Sequence, residues 1–508
     1  MDHKEFEHLV RRLELDSHAN PEAFRRKVVA ISLSAFVVLF GALAGLVALF
    51  VTLMQWALES HRTFVTIKIG LFGLFLLPLI FVVLRVMFMR LDRPTGRALT
   101  REEAPKLFDI LDKLHSKLKG PHIHHVLVTD EYNAAICQHA RFGIFGGYRN
   151  YLMVGLPYLL GATSKEMLGT LAHEYGHLCG NHGKLATWVY RQRLLFVDMY
   201  KHVEQSAEDN LVSSVIARSL GKFFPYYDAY TFVLARQHEY EADAMSVEMA
   251  GRTARAHGLL RVHLLGAWVY RSFWPKMYEN ADRAERPPFM PFASMRMAFR
   301  ANYEEWASQA ALDAAWAVRS DVDDTHPCLR ERLDAIGVAP SLPEPVDVCS
   351  ADVMLASGVG KKLEAELDKQ WWEVNSRGWR ERFRHVTTSQ ARIGTLSTQP
   401  LSKLSVQDLQ ELAALRLEFE SAAAAKPVLV EQLKRPGGPY PKASLMYGRV
   451  LLEEGNRQGV DHLRDAALND QRLLNEAAQR GYHYLLEKEG EDSANMWWSS
   501  VVPEEETA

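Results

Sequence analysis

His173-Glu174-Tyr175-Gly176-His177 holds two histidines four positions apart with a carboxylate between them. On a helix, positions i and i+4 share a face, so both imidazoles can reach one metal ion, and Glu174 lies beside it where it can hold a water. The flanking Thr170-Leu171-Ala172 and Leu178-Cys179 carry no charge, as expected of a buried helix. A catalytic metal centre of this kind takes three protein ligands and keeps a position for water. A third histidine in the pattern H-E-x-x-H-x-x-G-x-x-H is missing: Gly180 fits, but position 183 is Gly and His182 falls one residue short. The segment Arg236-Gln237-His238-Glu239-Tyr240-Glu241-Ala242-Asp243 offers carboxylates instead. Glu239 and Asp243 stand at i and i+4. One of them can ligate the metal while the other accepts a hydrogen bond from a ligand imidazole. Glu241 faces elsewhere and reads as a solvated or structural carboxylate, and His238 flanks the ligands without having to touch the metal.

Three motifs in order, HEYGH, then the E-Y-E-A-D of Glu239 to Asp243, then Thr325-His326-Pro327-Cys328-Leu329-Arg330-Glu331-Arg332, resemble the membrane zinc peptidases that include the heat-shock protease HtpX and the CAAX prenyl proteases. The resemblance spans residues 95–340. It implies one zinc ion per chain on His173, His177 and Glu239, with Glu239 preferred to Glu241 and Asp243 in support. It implies that His326 and Arg332 stand near the catalytic cleft and stabilise an oxyanion. Asn133-Ala134-Ala135 resembles the family's N-A-F-A edge strand, with Ala135 where phenylalanine is usual, and so marks where a polypeptide substrate would lie. Strand addition binds backbone without demanding a sequence. The implied chemistry is peptide hydrolysis, in which the metal acidifies a water and Glu174 serves as general base, then passes the proton to the leaving amine. The competing reading is an inactive zinc-binding membrane scaffold that binds partners through its C-terminal helices. The complete set of His173, Glu174, His177 and Glu239 argues against it.

The elements that must hold these residues belong to a chain of 508 residues with 48% apolar and 24% charged content, which excludes wholesale disorder. A net charge of −3 and a pI near 6.7 give no basic signal for nucleic acid. Cys137, Cys179, Cys328 and Cys349 are far apart with no C-x-x-C pair, which fits a reducing compartment. Val28 to Leu58 carries no charged residue, and Thr63 to Leu84 carries only Lys68 near one end. Each is long enough to cross a bilayer, which takes about 20 apolar residues. The tight connection Glu59-Ser60-His61-Arg62 makes them a hairpin, with Pro78 placed to kink the second span. Gly41 and Gly45 give the first span a small face. Lys4, Arg11, Arg12, Arg25, Arg26 and Lys27 precede the hairpin, and Arg90, Arg93, Arg97 and Arg101 follow it, against Arg62 alone at its tip. Both flanks are therefore expected in the cytoplasm, with the catalytic part facing inward from a bacterial inner membrane.

The pattern predicts a mainly α chain. Residues 1–27 form a cytoplasmic segment and 28–90 the transmembrane hairpin. Residues 91–340 form an α+β, zincin-like peptidase domain with a small sheet, 341–400 a helical connector, and 401–508 an all-α, tetratricopeptide-like region. Thr100 to Glu103 has capping-box form ahead of a helix with Leu107, Leu111 and Leu114. Strands are expected over 122–129, 132–138 and near 151–154, and a helix over 164–178. His122, His124 and His125 read as surface or hinge residues, and Trp371, Trp372 and Trp379 as packing anchors. In the tail Leu451-Leu452 recurs as Leu485-Leu486, and Gly455 recurs near Gly490, a spacing of about 34 residues. These helices are assigned to protein substrates, a partner protein or a second copy of the chain.

Overall fold

The computed structural model of the chain describes residues 2–59, 63–87, 93–141, 147–179, 189, 192–193, 211–322 and 324–502. Ser60 to Arg62 of the hairpin tip, Arg90, most of the Gly-rich stretch after Phe142, and Gly180 to Gly183 lie outside the described residues. The chain divides into two compact units, Met1–Lys276 with Phe289–Trp372, and Met277–Pro288 with Glu373–Ala508.

In the first unit, α1 (His3–Ala19) opens with a reciprocal cap: Glu5 N–H donates to the Asp2 side chain at 2.8 Å and Asp2 N–H to Glu5 at 3.1 Å. Asn20 then caps α2 (Pro21–Glu59), whose proline starts the helix with its φ already set. α3 (Thr63–Met87) packs against α2. Gly73 lies there against the Met54 side chain, which would meet an added Cβ at 2.2 Å, while Gly41 and Gly45 have open space beside them. Both helices leave large apolar side chains exposed, among them Leu33, Val37, Phe64, Ile67, Leu71 and Phe81. The expected spans 28–58 and 63–84 fall inside these helices. Taken over the described residues alone, however, no helix is long and apolar enough to cross a membrane.

One four-stranded mixed sheet follows, from β1 (Arg97–Ala98), β2 (His125–Thr129), β3 (Ala134–Ala140) and β4 (Tyr148–Gly155), in the order β1-β2-β4-β3. β2 and β4 are parallel and β3 runs antiparallel to β4, from Ala134 opposite Val154 to Ala140 opposite Tyr148. β3 is thus an edge strand. β2, expected over 122–129, begins later than its sequence suggests. The His122 carbonyl is taken by the Asn150 side chain at 2.7 Å, so regular pairing starts only at His125. Similarly, α4 (Pro105–Leu118) starts beyond the expected cap. Pro105 forces Ala104 out of helical geometry, and Thr100 and Glu103 exchange their hydrogen bonds, at 3.3 and 3.4 Å, in a separate turn. The buried α5 (Leu156–Gly161) leads from β4 to α6 (Ser164–Cys179). α7 (Leu211–Ala250), α8 (Arg252–Trp268) and α9 (Leu329–Ile336) complete the frame of the site.

The segment assigned to a connector holds one 39-residue helix, α10 (Val359–Ser397). In the second unit three helix pairs follow: α11 (Val406–Phe419) with α12 (Ala422–Leu433), α13 (Pro441–Glu453) with α14 (Gln458–Asn469), and α15 (Leu474–Glu489) with α16 (Glu491–Val501). Buried positions recur at a pitch of about 34 residues, as in Leu409, Ala443 and Ala477, and in Leu429, Leu463 and Trp497. Only two of these pairs stand out in the sequence. The second and third turn at Gly455 and Gly490, both at positive φ, whereas the first turns at Ser421, whose side chain caps α12 and leaves no glycine signal. Of the three tryptophans, Trp371 packs on Trp274 in the first unit, and Trp379 donates its ring N–H to the Ala284 carbonyl in the second.

Candidate active site

The site is built where α6 crosses α7. Gly176 makes the close crossing feasible: a Cβ there would meet the Ala242 backbone at 3.1 Å. Two turns earlier in α6, the Gly169 carbonyl accepts the Ser246 hydroxyl of α7 at 2.7 Å. Because Ala242 and Ser246 share a face of α7 with Glu239 and Asp243, the crossing sets both carboxylates against His173 and His177. Among the described residues, one group of His, Cys, Asp or Glu could hold a metal, and it is His173, His177 and Glu239.

The shape of this group fits a zinc ion. Ligands at the usual 2.0–2.1 Å in a tetrahedron stand about 3.3–3.4 Å from one another. Here His173 Nε2 and His177 Nε2 are 3.3 Å apart, and Glu239 Oε2 and Oε1 lie 3.4 and 3.3 Å from them. Glu239 Oε2 is buried with no hydrogen-bond partner among the described residues, a costly state for a carboxylate oxygen unless a cation meets it. Burial, reinforced by the neighbouring His173, brings the His177 imidazole down to about 3, which leaves its ring neutral for a metal. Burial works to raise the Glu239 carboxyl, but the neighbouring His173, His177 and Arg332 outweigh it and bring it down to about 2.

Asp243 supports the ligands. It is wholly buried, and its Oδ1 lies 3.0 Å from His173 Nδ1, which turns Nε2 of that ring toward the metal position. Two buried arginines hold it. Arg332 donates from Nε and Nη2 at 2.9 and 2.8 Å, and Arg255 donates from Nε at 2.9 Å. Burial pushes the Asp243 carboxyl up, but the two guanidinium charges prevail and hold it well below the carboxylate range. Glu174 is half-buried and accepts the Ile136 backbone N–H at 3.2 Å on Oε2. Burial raises its carboxyl, as does Glu239, against a lowering effect of His173.

The remaining predicted residues are less uniform. His326 is 58% exposed, with Nε2 at 3.7 Å from Glu239 Oε1. Arg332 lies against Asp243 and within 3.7 Å of Glu239, on the buried side of the ligands. Ala134 and Ala135 open β3, two and one residues before the N–H that meets Glu174. Asn133 precedes the strand, where its carbonyl accepts Gly155 N–H at 2.8 Å and its side chain accepts Ala134 N–H. Glu241 pairs with Arg25. His122 packs against His115 with the rings tilted, and His125 stacks on Tyr151. Two participants escape the sequence reading, Arg255 and the Ile136 N–H. A backbone N–H carries no residue signal. Arg255 was open to the question of what neutralises a buried Asp243.

Residues 104–338 match the family model described as Peptidase family M48, a family of zinc metallopeptidases. No curated protein and no solved structure matches the chain. The match supports a metallopeptidase, a hydrolase of peptide bonds, and the stretch it covers contains every residue of the cluster described above.

Proposed function

We propose that this protein is a membrane-anchored zinc metalloendopeptidase of protein substrates, with the site on the cytoplasmic side. The observation that carries the reading is the grouping of His173, His177 and Glu239, whose ligand atoms lie within 4.8 Å of one another, with Glu174 on the helix of the two histidines. Zinc bound there supplies a Lewis acid that polarises the peptide carbonyl and makes water easier to deprotonate. The chain's own groups do the rest. Glu174 Oε2 is engaged by Ile136 N–H, which leaves the other oxygen to take a proton from the attacking water. Its raised basicity suits it to that proton and to handing it on to the leaving amine. His326, with Nδ1 on Asp324 at 2.7 Å and Nε2 toward the ligands, is placed to donate to the carbonyl oxygen as it becomes negative. Arg332 acts at one remove, by holding Asp243. A substrate in extended form lies along β3, beside Glu174.

The anchor is the α2–α3 hairpin. The run Val28 to Leu58 is uncharged when the whole sequence is read, and the apolar side chains that α2 and α3 leave exposed suit lipid better than water. The full chain, recovered from carbonate-washed membranes and solubilised in detergent, should cleave unfolded casein, stop on chelation and recover with zinc. Release of the chain into the carbonate wash would remove the anchor from this reading. Cleavage that persisted after complete chelation would remove the metal.

A further inference from the structure

The segment ahead of the hairpin reads in sequence as a charged cytoplasmic stretch, yet it docks on the helix that carries Glu239. Leu9, Val10 and Leu13 of α1 enter one apolar cluster with Ala229, Phe232 and Val233 of α7. Beside this seam, Glu14 Oε1 accepts Arg236 Nη1 at 2.7 Å, and Ser17 Oγ accepts Gln237 Nε2 at 2.7 Å. Arg236 has a second set of partners. Its Nη2 donates to the backbone carbonyls of Asp321 at 2.5 Å and Asp324 at 3.1 Å. Asp324 in turn accepts the His326 backbone N–H at 2.9 Å and meets His326 Nδ1 at 2.7 Å. The His326 ring is more than half exposed, so packing does not set its direction; hydrogen bonds must.

We infer that α1 is a positioning part of the active site: Glu14 sets Arg236, Arg236 holds the Asp321 and Asp324 carbonyls, and Asp324 aims His326 beside the metal ligands. The inference rests on the role given to His326 above. A guanidinium suits this junction because its planar fork presents five donors in fixed directions, so one side chain serves a carboxylate and two carbonyls together. The ammonium of a lysine, a single point on a flexible stem, does not reproduce that span. Arg236 and Glu14 touch neither the metal ligands nor the substrate, so they act through the imidazole.

The test is a double-variant cycle on the full chain in detergent, with a short peptide substrate and zinc measured in every sample. Arg236→Gln should lower kcat by about ten- to a hundredfold, the cost of misplacing a catalytic group by an ångström or less, with KM and zinc unchanged. Arg236→Lys should recover only part of the loss. Glu14→Gln should lower kcat by about threefold, as for a partly exposed ion pair. On a His326→Ala background, neither change should lower kcat further, because the group they aim is gone. Losses that multiply in the double variants would overturn the inference and leave α1 a structural support, as would loss of zinc in Arg236→Gln. If Arg236→Gln does not fold, the same cycle run with Glu14→Gln decides. If His326→Ala keeps full kcat while cleavage remains chelator-sensitive, the role of His326 falls and the relay with it, and the metal centre stands.

Discussion

Glu174→Gln should lose peptide hydrolysis by about 10²- to 10⁴-fold or more while keeping its zinc. Glutamine preserves the size of the side chain and can still accept the Ile136 N–H through its amide oxygen, so the fold around it has no reason to move. It cannot take a proton, and general acid–base catalysis typically contributes a factor of that size. Glu174 is not one of the three residues grouped as metal ligands, so metal content should match the wild type. The two readouts together separate a lost base from a lost metal. Near-wild-type cleavage by a clean preparation would mean that another group activates the water.

The largest effect on stability should come from Asp243→Ala. Asp243 is fully buried between Arg255 and Arg332, each almost as deeply buried, and it also meets His173. Removing it takes away the carboxylate that Arg255 pairs with and leaves Arg332 only Glu239, at 3.7 Å, in a dry interior. Breaking a buried ion pair by deleting one partner costs about 3–5 kcal/mol, a large part of a typical domain's margin. The chain should therefore unfold at clearly lower denaturant, and whatever remains folded should bind zinc weakly because the His173 ring has lost its orienting partner. Arg255→Met should cost less, because Asp243 would keep Arg332. An Asp243→Ala chain with a wild-type unfolding midpoint would show that the two arginines find other partners.

What was legible in the sequence was local. The spacing of His173 and His177, or of Glu239 and Asp243, is a property of one helix and can be read without a fold. That the two helices meet depends on Gly176 against Ala242, which is visible only once they are crossed. The resemblance grouped His326 with Arg332 at the oxyanion, but their surroundings differ. His326 is exposed beside Glu239, whereas Arg332 is buried against Asp243, and no spacing along eight residues of chain could separate those tasks. Arg255 and α1 were missed for the same reason. Their importance comes from what they dock on, and sequence distance says nothing about docking. The first helix pair was hidden because a serine cap replaces the glycine that marks the other two.

The central claim, a zinc centre on His173, His177 and Glu239, is tested most directly by elemental analysis of the purified full chain beside Glu239→Gln and Glu241→Gln. These two glutamates sit two positions apart on α7, yet one faces the histidines and the other faces Arg25. The account predicts one zinc per chain in the wild type and in Glu241→Gln, and almost none in Glu239→Gln. Equal zinc in the two variants, or a wild-type chain that takes up none, would contradict it.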